Sequence, residues 1–136
     1  SAVERHFRAK LEGVVITGSM DRVDEGPDGV TLVDYKTSEK DDEEKADEAS
    51  KKSLQLSVYA LAYRELHGRL PDRLELRYVL TGITGVSACD EERVAKAHGK
   101  IEEIAAAIRA EEFDARPDAR KCSICACRPI CRESAV

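Results

Sequence analysis

Apolar and polar residues alternate in the first part of the chain and predict a β-hairpin. Residues 13–24 alternate with a period of two, which places the apolar side chains on one face of a strand. The sequence Gly-Pro-Asp-Gly at 26–29 then predicts a turn. Residues 30–37 alternate again, so we expect a second strand that pairs with the first in antiparallel fashion.

The pattern changes after this hairpin. Residues 39–48 are almost all charged, which predicts a solvated loop. Apolar residues then recur at helical spacing over 53–67, and the following Gly68 is a typical helix end. Residues 74–80 alternate as a third strand, which either ends there or continues to Val86. A second helix is predicted over 91–112. Its inward-facing residues are Val94, Ala97, Ile101, Ile104 and Ile108.

These elements predict an α/β fold with a mixed β-sheet flanked by helices. A strand, a helix and a strand over residues 30–80 favour a parallel, right-handed crossover. The chain has 136 residues, of which 42% are hydrophobic, and this suits one domain with one modest core. We therefore expect a single domain over 1–136, divided into an α/β core at 1–118 and a cysteine-rich tail at 119–136.

Charge and composition limit the function. The net charge is −5, whereas free-standing nucleic-acid binders usually carry a basic surface. Much of the negative charge lies in residues 39–48, and the C-terminal segment is locally basic. Its basic residues are Arg116, Arg120, Lys121, Arg128 and Arg132. No apolar run approaches the roughly 20 residues that cross a bilayer, and no signal peptide is evident, so we expect a cytoplasmic protein without a membrane partner.

Two carboxylates and a lysine are the candidate chemistry of the hairpin. Alternation places Asp34 and Lys36 on one face, and strand pairing brings Asp21 within roughly 5–8 Å of the 32–34 stretch. Mg²⁺ is usually held by one or two carboxylates plus phosphate oxygens, which suits phosphodiester hydrolysis. We expect the backbone carbonyl of Tyr35 to point toward the same ion. An exposed ion pair without catalytic function is the alternative that this pattern leaves open.

Three segments resemble a known family in their order and spacing. They are GSMDRVD at 18–24, LVDYKT at 32–37 and QLSVYAL at 55–61. Together they are similar to the RecB/AddB branch of the PD-(D/E)XK nucleases, and the similarity implies a restriction-endonuclease-like fold. The resemblance assigns the divalent metal to Asp21 and Asp34, catalysis to Lys36, and support of the site to Gln55 and Tyr59.

The same resemblance implies an activity. It is a deoxyribonuclease that uses Mg²⁺ or Mn²⁺, with DNA as substrate, and that works as an exonuclease in helicase-coupled recombination and repair. The expected partner is a helicase motor domain or subunit. The alternative is a catalytically inactive module that binds DNA ends or serves as a metal-cluster scaffold within a helicase–nuclease complex.

The C-terminal tail concentrates four thiols, from Cys122, Cys125, Cys127 and Cys131. Such a cluster in a reducing compartment predicts a thiophilic metal, either zinc or an iron–sulfur centre. The resemblance favours a 4Fe-4S cluster, because the family motif Cys-x2-Cys-x5-Cys is matched by Cys122, Cys125 and Cys131. In that family a further cysteine and a metal-ligating histidine lie upstream of the hairpin. The sequence begins at Ser1, so we expect a fragment of a helicase–nuclease with an incomplete site and cluster, inactive as supplied.

Overall fold

A five-stranded mixed sheet organises the larger part of the molecule. The computed structural model describes all residues, 1–136, and the compact unit built on the sheet comprises residues 1–103. The strands are β1 (Ala2–Leu11), β2 (Val14–Gly26), β3 (Gly29–Lys36), β4 (Arg73–Tyr78) and β5 (Ile83–Ala88). They lie in sequence order, and only β3 and β4 run parallel to each other. The predicted α/β class, the hairpin and the parallel crossover are confirmed.

The first strand, β1, was not predicted. It pairs with β2 from Ala2 to Leu11, so the predicted hairpin is the second one of a meander. Phe7, Ala9 and Leu11 are buried and alternate with exposed charged or polar residues. The small Ala9 and the many charged neighbours weaken the apolar signal, and the strand forms because β2 supplies its backbone partners.

The predicted charged loop is wrong from residue 43 onward, because α1 spans Glu43–Lys52. Asp42 caps this helix by accepting a hydrogen bond from the backbone nitrogen of Lys45 at 3.1 Å. Its buried residues are Ala46 and Ser50, which are small and do not register as an apolar stripe. Ala46 packs so closely on Gly85 of β5 that no side chain would fit there. Four of the charged residues, Glu43, Glu44, Lys45 and Glu48, therefore lie on the solvent face of a helix, and Asp47 accepts a hydrogen bond from the backbone nitrogen of Val86 in β5 at 2.7 Å.

The second helix, α2 (Leu54–His67), is confirmed where it was predicted. The Ser53 side chain accepts from the Leu56 nitrogen at its start, and Gly68 ends it in the left-handed region at φ 72°. The third strand does not continue to Val86. Gly82, at φ 74°, turns the chain back, and β5 pairs antiparallel to β4.

The helix α3 spans Glu91–Arg109, and its predicted inward face is only partly correct. Val94 and Ala97 are buried, and Ile101 packs against the core. Ile104 and Ile108 are 45% and 57% exposed, which contradicts the prediction. The sheet-based unit ends at residue 103. The helical spacing of apolar residues in α3 therefore extends beyond the core that these residues were predicted to contact.

The core lies on one face of the sheet. All three helices of this unit contribute to it, and the buried strand residues alternate accordingly. The largest fully buried side chains include Leu32, Leu56, Leu61, Leu74 and Val94. The opposite face of the sheet carries no helix of this unit.

Residues 104–136 form a second compact unit. It contains the end of α3, the short helix α4 (Ala119–Ile124) and a 3-10 turn at Arg128–Ile130. Asp118 caps α4 by accepting from the backbone nitrogen of Lys121 at 3.0 Å. Within this unit Ile124 and Ile130 are each 85% exposed. None of the helices in the molecule has the length and apolar character that crossing a bilayer requires.

Candidate active site

The candidate site lies where β2 and β3 separate. Their regular pairing ends at Arg22 and Val33, immediately before Asp21 on one strand and Asp34 on the other. The Oδ2 atom of Asp21 accepts a hydrogen bond from the backbone nitrogen of Tyr35 at 2.8 Å. This bond joins the two strands beyond their last regular pair and holds the Asp21 carboxylate beside β3.

The pairing of β1 with β2 is also interrupted at this level. Regular partners are missing between Val3 and Arg5 on β1, and the residue between them, Glu4, has a left-handed φ of 51°. On β2, Met20 and Val23 are both buried, although an uninterrupted strand would place them on opposite faces. The strand is therefore distorted at Asp21, which frees its side chain from the simple alternation.

Asp34 is a buried carboxylate with an incomplete set of partners. It is 2% exposed, and its Oδ2 lies 2.7 Å from the Nζ of Lys36. No hydrogen bond of acceptable geometry reaches that oxygen. Burial raises the pKa of the Asp34 carboxyl and the negative charge of Asp21 adds to this, while the Lys36 ammonium opposes it. The pocket thus holds more negative charge than its own donors satisfy.

Lys36 is held from two sides. Besides its ion pair with Asp34, its Nζ donates to the Oε1 of Gln55 at 2.9 Å. The Nε2 of Gln55 in turn donates to the hydroxyl of Tyr59 at 2.8 Å. The rings of Tyr59 and Phe7 pack in a T-shaped arrangement, with 5.9 Å between ring centroids. Burial raises the pKa of Tyr59, so it stays a neutral phenol, and its hydroxyl proton remains available to another acceptor.

The structure thus brings together the predicted residues of the hairpin and of α2. The Tyr35 side chain is 40% exposed. Tyr35 contacts Asp21 through its backbone nitrogen, which donates the hydrogen bond described above. A metal role of the Tyr35 carbonyl stays a prediction. No group of three or more His, Cys, Asp or Glu side chains is arranged to hold a metal ion. Two carboxylates are nevertheless enough for Mg²⁺, and the unsatisfied Oδ2 of Asp34 fits a bound cation.

The four tail cysteines are not gathered into a metal-binding group. All four have free thiols, and those of Cys125 and Cys127 are on exposed residues. The Sγ of Cys122 accepts a hydrogen bond from the backbone nitrogen of Ala135 at 3.4 Å, which helps to lower the pKa of its thiol. As arranged, these residues do not fit a cluster, and a ligand role of Cys122, Cys125 and Cys131 stays a prediction.

Sequence reasoning missed Arg93, which anchors the start of α2. Its Nε donates to the Ser57 hydroxyl at 2.8 Å, and its terminal nitrogens donate to the Ser50 carbonyl at 2.7 Å and the Ser87 hydroxyl at 2.8 Å. The guanidinium thereby joins α1 and β5 to α2, the helix that carries Gln55. Nothing in the sequence marks this arginine among the others, because its partners come from distant segments.

The chain was compared with known proteins. The sequence model of a family described as the PD-(D/E)XK nuclease superfamily matches residues 1–132. The match includes the hairpin, α2 and the cysteine tail. A comparison with curated proteins finds no match.

Proposed function

Because the chain belongs to the PD-(D/E)XK nuclease superfamily, we propose that it hydrolyses phosphodiester bonds of DNA with Mg²⁺ or Mn²⁺. Its mixed five-stranded sheet with flanking helices is consistent with the restriction-endonuclease-like fold of that superfamily. The observation that carries the proposal is the buried Asp34 carboxylate beside Asp21, with an oxygen that lies 2.7 Å from the Lys36 ammonium but accepts no hydrogen bond of acceptable geometry. Buried polar atoms are normally satisfied, and an unsatisfied one in a carboxylate pair is expected at a cation site.

Asp21 and Asp34 would hold the cation, with the Tyr35 carbonyl as a further oxygen. When bound, a divalent cation supplies the positive charge that polarises the phosphoryl group and promotes attack by water. Asp34 must be ionised to act as a ligand. Burial raises the pKa of Asp34. When the pH is lowered, Asp34 should therefore take up a proton, and metal affinity should start to fall, at a higher pH than for an exposed aspartate.

Lys36 would act on the phosphoryl group directly. Its ammonium is already held by Asp34 and Gln55, so little reorganisation is needed when negative charge develops on the substrate. Gln55 positions this amine, and Tyr59 fixes the amide of Gln55. The neutral Tyr59 hydroxyl retains a proton that it can donate to a substrate oxygen.

The test is hydrolysis of linear DNA with Mn²⁺ or Mg²⁺ and a chelator control, by a protein extended at its N-terminus with the histidine-bearing segment that the family carries upstream of the hairpin. We expect metal-dependent digestion, and a loss of about a hundredfold or more in Asp21→Asn, because one of two cation ligands loses its charge. Asp28→Asn removes a carboxylate from the turn at the opposite end of the β2–β3 hairpin and should leave the rate unchanged. Digestion that persists in chelator, or an equal loss in both variants, would refute the proposal.

We further propose that the enzyme is an exonuclease that acts beside a helicase motor in recombination and repair. The support is the RecB/AddB-like order of GSMDRVD, LVDYKT and QLSVYAL along the chain. An exonuclease should digest linear duplex but spare closed circular duplex of the same sequence. Binding of DNA ends without any digestion would instead support the scaffold alternative.

We also propose that the tail takes up a thiolate-bound metal centre, an iron–sulfur cluster by resemblance or else zinc. Metal binding would have to draw the separate thiols together. Anaerobic reconstitution with iron and sulfide should produce the visible absorption of a cluster, which Cys125→Ser should abolish and Cys89→Ser should not. Metal analysis with neither iron nor zinc bound after reconstitution would contradict this proposal.

A further inference from the structure

The face of the sheet opposite the three helices, here called the open sheet face, has a charged centre. Strand alternation and register place eight residues of β2, β3 and β4 there. They are Arg22, Asp24, Thr31, Val33, Tyr35, Arg73, Glu75 and Arg77. Val33 is 1% exposed although it is not part of the main core cluster, which indicates that its charged neighbours lie over it.

One carboxylate fixes two of these arginines. The Nε of Arg73 donates to one oxygen of Glu75 at 2.7 Å, and the Nε of Arg77 donates to the other at 2.8 Å. Glu75 is only 5% exposed, and both of its oxygens are occupied. The Arg73 and Arg77 side chains remain 52% and 33% exposed. Glu75 therefore holds both arginines in place, and part of each arginine side chain remains accessible to solvent.

The anchoring leaves the outer ends of both guanidinium groups without partners. Arg73 and Arg77 use only Nε, so their terminal nitrogens make no hydrogen bond within the protein. These nitrogens form the planar fork that matches two phosphate oxygens. Because the Glu75 carboxylate already restricts the side chains, less conformational entropy is lost when a phosphate binds.

The charge of the open sheet face differs from that of the whole chain. On β1, Arg8 and Lys10 alternate with the buried Phe7, Ala9 and Leu11 and so lie on the open sheet face as well. The alternating residues of β1 to β4 thus place five lysines and arginines on the face against the two acids Asp24 and Glu75, in a chain with net charge −5, and Glu25, Asp28 and Asp72 lie in the cavity beside Arg73. Positive charge concentrated on one surface of an acidic protein is complementary to a polyanion.

We propose that the open sheet face binds the phosphate backbone of DNA, with Arg73 and Arg77 each contacting a phosphate. The choice of DNA rests on the proposed function. An acidic protein is a poorer match, because the centres of protein interfaces are typically apolar and this one is charged. Arg77 is the register partner of Tyr35, whose neighbours Asp34 and Lys36 have their side chains on the opposite, helix-bearing face, so DNA on the open sheet face reaches the candidate site over the end of β3.

The test compares binding of a fluorescent linear duplex over a range of salt concentrations, in chelator so that no cleavage occurs. For Arg73→Gln/Arg77→Gln we expect affinity to fall by roughly tenfold or more. The slope of log affinity against log salt should become shallower by about two, since each phosphate contact contributes about 0.9. The matched control Lys51→Gln/Lys52→Gln removes the same charge from α1 and should change neither quantity.

Removal of both arginines would leave the buried Glu75 charge unpaired and could unfold the protein. A triple variant that also carries Glu75→Gln avoids this, and it should show the same change in slope. Melting followed by circular dichroism establishes that each variant is folded. At saturating DNA these variants should keep the wild-type kcat and show a raised KM, because the reacting groups are untouched.

The inference is overturned if folded variants bind DNA with the wild-type affinity and salt slope, or if polyglutamate binds the wild-type protein more tightly than duplex does. Failure of the proposed function has a different signature. In that case the wild-type protein binds DNA through Arg73 and Arg77 but does not hydrolyse it with Mn²⁺ or Mg²⁺.

Discussion

Lys36→Ala is expected to lower kcat for DNA hydrolysis by roughly a hundredfold or more, the usual loss when one preorganised donor to developing charge is removed. The Lys36 ammonium is held between Asp34 and Gln55, so the charge that it offers is already aligned. Single-turnover hydrolysis at saturating Mn²⁺ measures the effect. Lys52→Ala, which removes an exposed lysine from α1, serves as the control. Equal rates for both variants and the wild-type protein would exclude a catalytic role of Lys36.

The same substitution should also affect folding. At an ordinary surface position of a strand, a change to alanine alters stability by no more than about 0.5 kcal/mol. Here the amine is the ionic partner of the buried Asp34, so its loss should cost about 1–3 kcal/mol in metal-free protein. Bound Mn²⁺ supplies a replacement charge, so urea unfolding with Mn²⁺ should recover much of this loss. An unchanged free energy of unfolding in chelator would contradict the expected coupling.

Asp34→Asn is expected to lower hydrolysis by about a thousandfold or more, because a cation ligand contributes several kcal/mol to the stabilisation of the transition state. The variant should also lose the thermal stabilisation that Mn²⁺ gives the wild-type protein. Calorimetric titration with Mn²⁺ measures the affinity directly. If Asp34→Asn binds Mn²⁺ with the wild-type affinity, Asp34 is not a metal ligand. The control Asp28→Asn should bind Mn²⁺ with the wild-type affinity.

In chelator, Asp34→Asn should be more stable than the wild-type protein by about 1 kcal/mol at neutral pH. Because the folded-state pKa of Asp34 is raised, the folded protein binds the proton more tightly than the unfolded chain does. The free energy of unfolding therefore falls as pH rises from the unfolded-state pKa, about 3.9, through the folded-state pKa. The advantage of the variant should vanish below about pH 3.9. Urea unfolding at neutral pH and below about pH 3.9 measures the difference in stability between the variant and the wild-type protein. An Asp34→Asn variant that is less stable than the wild-type protein at neutral pH would contradict the predicted direction.

Local periodicity was sufficient to predict the elements that carry the candidate site. Period-two alternation predicts β2 and β3 and places Asp34 and Lys36 on one face, as found in the 2.7 Å ion pair. Helical spacing that ends at Gly68 predicts α2, on which Gln55 and Tyr59 are one turn apart. These features depend on short stretches of chain, so the residues themselves specify them.

Periodicity failed where an element is stabilised by its neighbours. The helix α1 buries only small side chains, and Ala46 fits because Gly85 of a distant strand leaves room for it. Ile104 and Ile108 follow the helical period of α3 but lie beyond the sheet-based unit. The amount of apolar surface that an element buries depends on what packs against it, and residue spacing along one segment does not encode that.

The electrostatic character of the candidate site likewise depends on long-range packing. Asp34 and Lys36 read as an exposed ion pair as readily as a catalytic one until burial of Asp34 and the bond from Lys36 to Gln55 are known. The open sheet face has the same origin, because its arginines gain a common anchor only when β4 lies between β3 and β5 and the helices of the sheet-based unit lie on the other face. A pKa and an exposed charge are properties of the assembled surroundings, which segments far apart in the chain create together.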